Sequence, residues 1–345
     1  MVHKIVATAV LVLGLGALTV SGQPQPRAFF KDHAKLSDSE IQKIEQGQVV
    51  TKVLGSSDKY GMLVFGAVYI NAPIEKFAAS FRDVKNLKEN KVYLDVQEFS
   101  PGGAPPKLSD FEGLVLDKKD IDELHTGKPG ECDLQVFDDI GVIQKKIDWN
   151  AKDKYVQANA VLRQRVLDGM TTYLSGGLKA FGSYRDREKS FNPYQATKDM
   201  VDGSYYLPQD KAGDIHRHVT EFPTGKMAGV EDFFYWEKIN FGQEPTARIN
   251  HVTIFPKGFG PVKLLVSNKQ LYSTRYMRVA LQMYYCVPDT ENPAKPGFFL
   301  IEMNDSRLPD FGGLKLAVVR KVATGKGVES TKDTLTMFYN RLNGK

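Results

Sequence analysis

The feature that most restricts what this chain can fold into is a run of strand-like segments from residue 214 to 303, followed by a long helical stretch. Residues 216–222 alternate polar and apolar side chains, and residues 231–239 (EDFFYWEKI) are rich in aromatics. Residues 247–255 and 262–271 flank a Gly/Pro turn, and 277–287 and 297–303 continue the series. Period-two patterning between turns is the mark of antiparallel strands joined as a meander. After the polar turn 304–307 the period lengthens. Residues 314–322 and 331–342 read as helix, with Leu335, Phe338, Tyr339 and Leu342 on one face. Strands and helices in separate blocks define an α+β chain.

The first half adds a hairpin and an insertion. Residues 48–54 and 62–70 (MLVFGAVYI) are β-branched runs across a polar turn. Asn71-Ala72-Pro73 then starts a helix, with asparagine as cap and proline in the first turn. Ile74, Phe77, Ala78, Phe81 and Val84 fall on its apolar face. Upstream, Ser37 and Glu40 have capping-box spacing and open a short helix that stops at Gly47. Between about 101 and 214 lie two Gly/Pro loops and the longest helical pattern, which begins at Asn150 and meets Gly176-Gly177; a glycine there costs about 1 kcal/mol.

The N-terminus reads as a secretory signal. His3 and Lys4 precede an apolar run over residues 5–20, and Ser21-Gly22-Gln23 supplies small residues for cleavage. The alternative is an uncleaved N-terminal anchor. The expected organisation is a signal peptide at 1–22, a flexible lead-in at 23–35, and one elaborated domain at 36–345 with its insertion at about 101–214. The expected location is periplasmic or secreted. The chain is 42% hydrophobic and 25% charged, enough apolar residue for a packed core. Removing Lys4 lowers the net charge from +5 to +4. That is short of a nucleic-acid-binding footprint, and it leaves peripheral contact with an anionic membrane open. Lys257, Lys263, Lys269, Arg275 and Arg278 would supply the basic face for such contact. Cys132 and Cys286 could pair in an oxidising compartment or remain buried thiols.

Residues 64–84 (VFGAVYINAPIEKFAASFRDV) carry a strand running into an x-A-P-x-E-x-[FV] helix start. With the closing FFLIEMNDSR strand and the C-terminal helix, this resembles the START-like, helix-grip (SRPBCC) superfamily over about two-thirds of the mature chain. The long insertion departs from simpler members. The resemblance implies a curved antiparallel sheet wrapped on a long C-terminal helix, with a hydrophobic cavity between them for lipid-like molecules.

No catalytic motif accompanies that fold. There is no GxSxG elbow, no CxxC, no phosphate-cradling glycine loop. His125 and Cys132 form a weak dyad candidate, since Glu131 and Asp133 would raise the thiol pKa. His216 and His218 would share a strand face, and with His251 they are the one zinc candidate. No carboxylate stands at ligand spacing beside them, so neither a metal nor a cofactor is expected. The favoured reading is an exported, non-enzymatic binder or carrier of a hydrophobic small molecule. An enzyme on the same fold (a cyclase or hydrolase-like activity) and an envelope protein with a structural role are the alternatives. Phe234, Trp236, Tyr272, Arg275 and Phe338 are the expected ligand-binding residues, with Arg275 at the mouth.

Overall fold

The computed structural model describes residues 25–135, 138–187, 189–204, 209–240 and 244–344; the expected signal peptide lies outside them. In chain order the elements are α1 (Pro26–Asp32), α2 (Asp38–Glu45), β1 (Val50–Leu54), β2 (Gly61–Ile70), α3 (Ile74–Arg82) and β3 (Tyr93–Phe99). The insertion follows with α4 (Lys118–Thr126), α5 (Ile140–Gln144), α6 (Lys154–Gly176), β4 (Tyr184–Asp186), β5 (Lys189–Phe191), α7 (Pro193–Asp202) and α8 (Gln209–Glu221). The meander is β6 (Glu231–Ile239), β7 (Thr246–Phe255), β8 (Leu264–Ser273), β9 (Val279–Pro288) and β10 (Phe298–Arg307), and α9 (Gly313–Leu342) closes the fold.

The main sheet runs β1-β2-β10-β9-β8-β7-β6-β3, every pair antiparallel. The last strand returns beside the hairpin, with Phe298 opposite Ile70 and Arg307 opposite Gly61. This order, with α9 on the inner face, is the helix-grip-like arrangement expected from the sequence. The capping box is present: Glu40 N donates to Ser37 Oγ at 3.3 Å and Ser37 N to Glu40 Oε2 at 2.8 Å.

Alternation divides each strand between two cores. Val68, Ile70, Val252, Val266, Tyr284 and Leu300 face inward, against α3 and the last turns of α9. Phe65, Ala67, Leu265, Tyr285, Phe299 and Ile301 face outward, beneath α1, α2, α7 and α8. The inner core depends on one close approach. A Cβ built at Gly66 would lie 2.5 Å from Thr331 Cγ2 and 2.6 Å from Leu335 Cδ1, so only glycine lets α9 lie this near β2.

Four local expectations change. Residues 26–32 form α1 where a flexible lead-in was expected: Phe29 and Phe30 are fully buried against Phe65 and Phe299, and Arg27 is held by Glu45 at 2.6 Å and Asp289 at 2.7 Å. Residues 216–221 belong to α8, not a strand, because a period-two run this short also fits one side of a helix. Pro73, with no side-chain cap, takes the N-cap of α3 in place of Asn71. The two C-terminal helical stretches are one 30-residue helix.

Phe338 is 1% exposed and packs on Phe77 (ring centroids 5.0 Å) and Phe81 (5.7 Å). Phe338→Ala should therefore destabilise the fold by about 3–5 kcal/mol in a denaturant melt. A loss below about 0.5 kcal/mol, the level of a surface substitution, would show that α9 is not anchored there.

Candidate functional site

The inner face changes character along its length. Toward one end, α9 presents Leu335, Phe338 and Leu342 and the space is filled. Toward the other, its sheet-facing positions shrink to Val319, Ala323, Gly327 and Ser330. Small side chains cannot span the distance a Phe or Leu spans, and a cavity of about 420 Å³ remains between helix and sheet. Its sheet wall is Met62 and Val64 of β2, Thr246 and Arg248 of β7, Ala280 and Gln282 of β9, and Asn304 and Ser306 of β10. Ligand pockets commonly run from about 300 to 1,000 Å³.

Between the filled and open ends lies a buried polar layer. Arg248 Nε donates to Glu237 Oε1 at 2.5 Å, with Glu237 fully buried. Asn268 Nδ2 donates to Tyr235 Oη and to Gln282 Oε1, each at 2.9 Å. Gln282 Nε2 donates to Glu302 Oε1 at 3.5 Å, and Thr331 Oγ1 of α9 donates to the same oxygen at 3.3 Å. Burial pushes the Glu302 carboxyl up to about 8, so it is protonated at neutral pH. Among the described residues, five atoms here have no hydrogen-bond partner: Glu237 Oε2, Asn250 Nδ2, Asn268 Oδ1, Gln270 Oε1 and Glu302 Oε2. Buried polar atoms are nearly always paired, so such a group on one face is unusual.

The insertion forms the rim. Arg275 is 5% exposed and bound to Asp120 at 2.5 Å and Glu123 at 2.6 Å, both on α4. These carboxylates, after the opposing cost of burial, hold its guanidinium well above the usual range. Lys119 pairs with Glu244, Arg187 with Asp133 at 2.7 Å, and Arg278 with Asp186.

The five expected ligand-binding residues do not share one cavity. Arg275 lines this one, but its charge is committed to α4 rather than presented at the mouth. Phe338 plugs the filled end. Phe234 and Trp236 point to the outer face, the reverse of the side on which α9 lies. Phe234 stacks on His251 at 4.6 Å, and Trp236 Nε1 donates to Asp110 O at 2.9 Å. Sequence alternation separates two faces without saying which one the helix covers. Tyr272 also faces outward, into a second space. Glu237, Arg248, Gln282 and Glu302 went unsingled in the sequence; their signal was charged or amide residues at inward positions of otherwise apolar strands. Of the expected basic face, Lys269, Arg275 and Arg278 are buried, and Lys269 Nζ donates to Val219 O at 2.8 Å.

The histidines do come together, with a carboxylate the sequence did not place. His218 Nε2 and His251 Nε2 lie 2.9 and 3.0 Å from Asp232 Oδ1, which also accepts from Thr253 Oγ1 at 2.8 Å. His216 goes elsewhere, to Asp202 at 2.6 Å. The trio has ligand spacing for a metal, yet its hydrogen bonds argue otherwise. Met227 N donates to His218 Nδ1 at 2.9 Å, which leaves the neutral ring's proton on Nε2, the atom a metal would need bare. Burial lowers His251 to about 4, so that ring is neutral at pH 7. The cluster is a hydrogen-bonded core network. His125 stacks on Trp149 at 4.1 Å and Cys132 Sγ donates to Lys128 O, so the two form no dyad. Cys132 and Cys286 are both free thiols, the first beside the α4–α5 cluster and the second in the inner core.

No family profile matches the sequence, and no curated protein matches it. Among solved structures, it is similar to the Zhui aromatase/cyclase from Streptomyces sp. R1128, at 10% identity and a TM-score of 0.25 over 44% of this chain and 82% of that one. It is also similar to a START superfamily protein from Mycobacterium smegmatis, at 11% identity and a TM-score of 0.24 over 44% of this chain and 90% of that one.

A carboxyl raised on folding stabilises the native state fully below its unfolded pKa, about 4.3, and loses that contribution as pH rises toward 8. Glutamine mimics the protonated form at every pH. Glu302→Gln should therefore match wild type near pH 4 and become relatively more stable up to about pH 8, by about 1.4 kcal/mol per pH unit at most. Parallel stability curves from pH 4 to 9 would show that Glu302 is not held protonated.

Proposed function

We propose that this chain binds an amphipathic, lipid-like small molecule in the cavity between α9 and the sheet. The observation that supports this most is the pairing of an open half, where α9 offers Val318, Val319, Val322 and Ala323, with a polar layer of unpartnered atoms at its inner end. The apolar body would lie along the helix, where burial contributes about 0.8 kcal/mol per CH₂. A hydroxyl, carbonyl or carboxyl would reach Arg248, Gln282 and Asn304. This refines the apolar cavity expected from the sequence, and Arg275 serves as a rim ion pair rather than a head-group receptor.

A second reading, an enzyme on the same fold, is favoured by Glu302. An acid kept protonated near neutral pH is suited to donate a proton. Native mass spectrometry of purified protein separates the two: a carrier returns its bound molecule unchanged, and an enzyme returns a product.

We further propose that the protein works outside the cytoplasm, on the strength of the apolar run at residues 5–20 and the Ser21-Gly22 that follow. N-terminal sequencing of the exported protein should start near Gln23; material beginning at Met1 would refute this.

For the cavity, 11-(dansylamino)undecanoic acid should bind wild type saturably at one site. Ala323→Trp fills the space from the helix side and should weaken binding at least about tenfold, or about 1.4 kcal/mol. Absence of saturable binding, or equal binding by the variant, would refute the carrier reading.

A further inference from the structure

We infer that the space between α6 and the outer face of the sheet is a second binding site, for a compound of about two fused apolar rings bearing at most one anionic group. The helix itself gives the first indication. α6 is 23 residues long, yet its buried residues are Ala158 and Asn159 near one end and Met170 and Tyr173 near the other. Asn159 ties the first end to the backbone of Leu116, accepting from its N–H at 2.8 Å. Tyr173 Oη sits 2.7 Å from His251 Nδ1 at the second. Between these anchors Leu162, Val166 and Gly169 bridge a cavity of about 270 Å³. Protein interiors leave few gaps wider than one water. A dry apolar cavity of about 150 Å³ admits benzene, so this one suits a two-ring molecule.

The floor of the cavity comes from a break in the sheet. Ile249 pairs with Tyr272 and Asn250 with Gln270, which leaves Leu271 as a bulge residue. A bulge breaks alternation and re-aims side chains. Two consecutive residues, Leu271 and Tyr272, therefore line the same space, beside Ala247 and Ile249. The Tyr272 hydroxyl is already used, donating to Gln135 O at 2.6 Å, so its ring presents an apolar surface. The charge at the edge is selective. Arg165 is held by Asp139 at 3.0 Å, whereas Arg163 has no carboxylate partner among the described residues. Ala180 lies on the lining and is exposed, so the space reaches solvent. The α9 cavity takes the even-numbered neighbours Thr246 and Arg248 on the reverse side of the same strand, so the two spaces are separate.

The test uses 2-naphthoate in fluorescence titrations and 6-bromo-2-naphthoate in crystals. Gly169→Met places a side chain where no heavy atom lies within 4 Å of the added Cβ, and it replaces a poor helix former. The variant should melt no lower than wild type and bind 2-naphthoate at least about tenfold more weakly. Arg163→Met should weaken the same anion about threefold or more. Ala323→Trp, which fills the other cavity, should leave its affinity within about twofold. The bromine should lie between α6 and the Leu271 bulge. Bromine under α9, weakening by Ala323→Trp instead of Gly169→Met, or no saturable binding would overturn the assignment.

Discussion

The contact on which the rest of the molecule depends is the meeting of α9 with β2 at Gly66. Thr331 and Leu335 occupy the volume that any larger residue at 66 would need. With the helix seated there, Phe338 reaches Phe77 and Phe81 and the inner core closes. The same contact fixes how far the helix stands from the sheet along its whole length, because a helix is stiff over a few turns. From that pivot, the size of the residues facing the sheet decides whether space is filled or left open. Leu335, Phe338 and Leu342 fill it; Val319, Ala323, Gly327 and Ser330 do not.

The polar layer lies just where filling gives way to space. An ion pair such as Glu237–Arg248 in a core is costly to desolvate, and well-packed apolar residues of similar size would stabilise as much or more. Its neighbours Asn250, Asn268, Gln270 and Glu302 each keep an atom without a hydrogen-bond partner among the described residues. Five such atoms on one face work against stability, and the layer adjoins the open half through Arg248 and Gln282, which line it.

The architecture was largely legible in the sequence because its signals are local. Strand alternation from 231 onward, the capping box at Ser37 and the apolar face of Ile74, Phe77 and Phe81 each depend on near neighbours. The strand-to-helix start in residues 64–84 led to the right fold. The site was less legible. Phe234 and Trp236 stood out as aromatics, but which side of β6 meets α9 is set by the arrangement of the whole sheet. The bulge at Leu271 inverts the pattern after it, so Tyr272 could not be assigned by counting. Asp232 joins His218 and His251 only because α8 packs over β6 and β7. Helix α1 went unrecognised because its seven residues are stabilised by Phe65, Phe299 and Asp289, all distant in sequence.

Strand β7 has a further consequence, because it is a wall shared by two rooms. Thr246 and Arg248 furnish one side, Ala247 and Ile249 the other. A point substitution on this strand changes the lining of one space and leaves the other nearly untouched. An insertion or deletion of one residue would exchange what β7 contributes to each space. Descendants of this chain can therefore retune either chamber by replacement alone, while the length of β7 is the property that selection must hold constant.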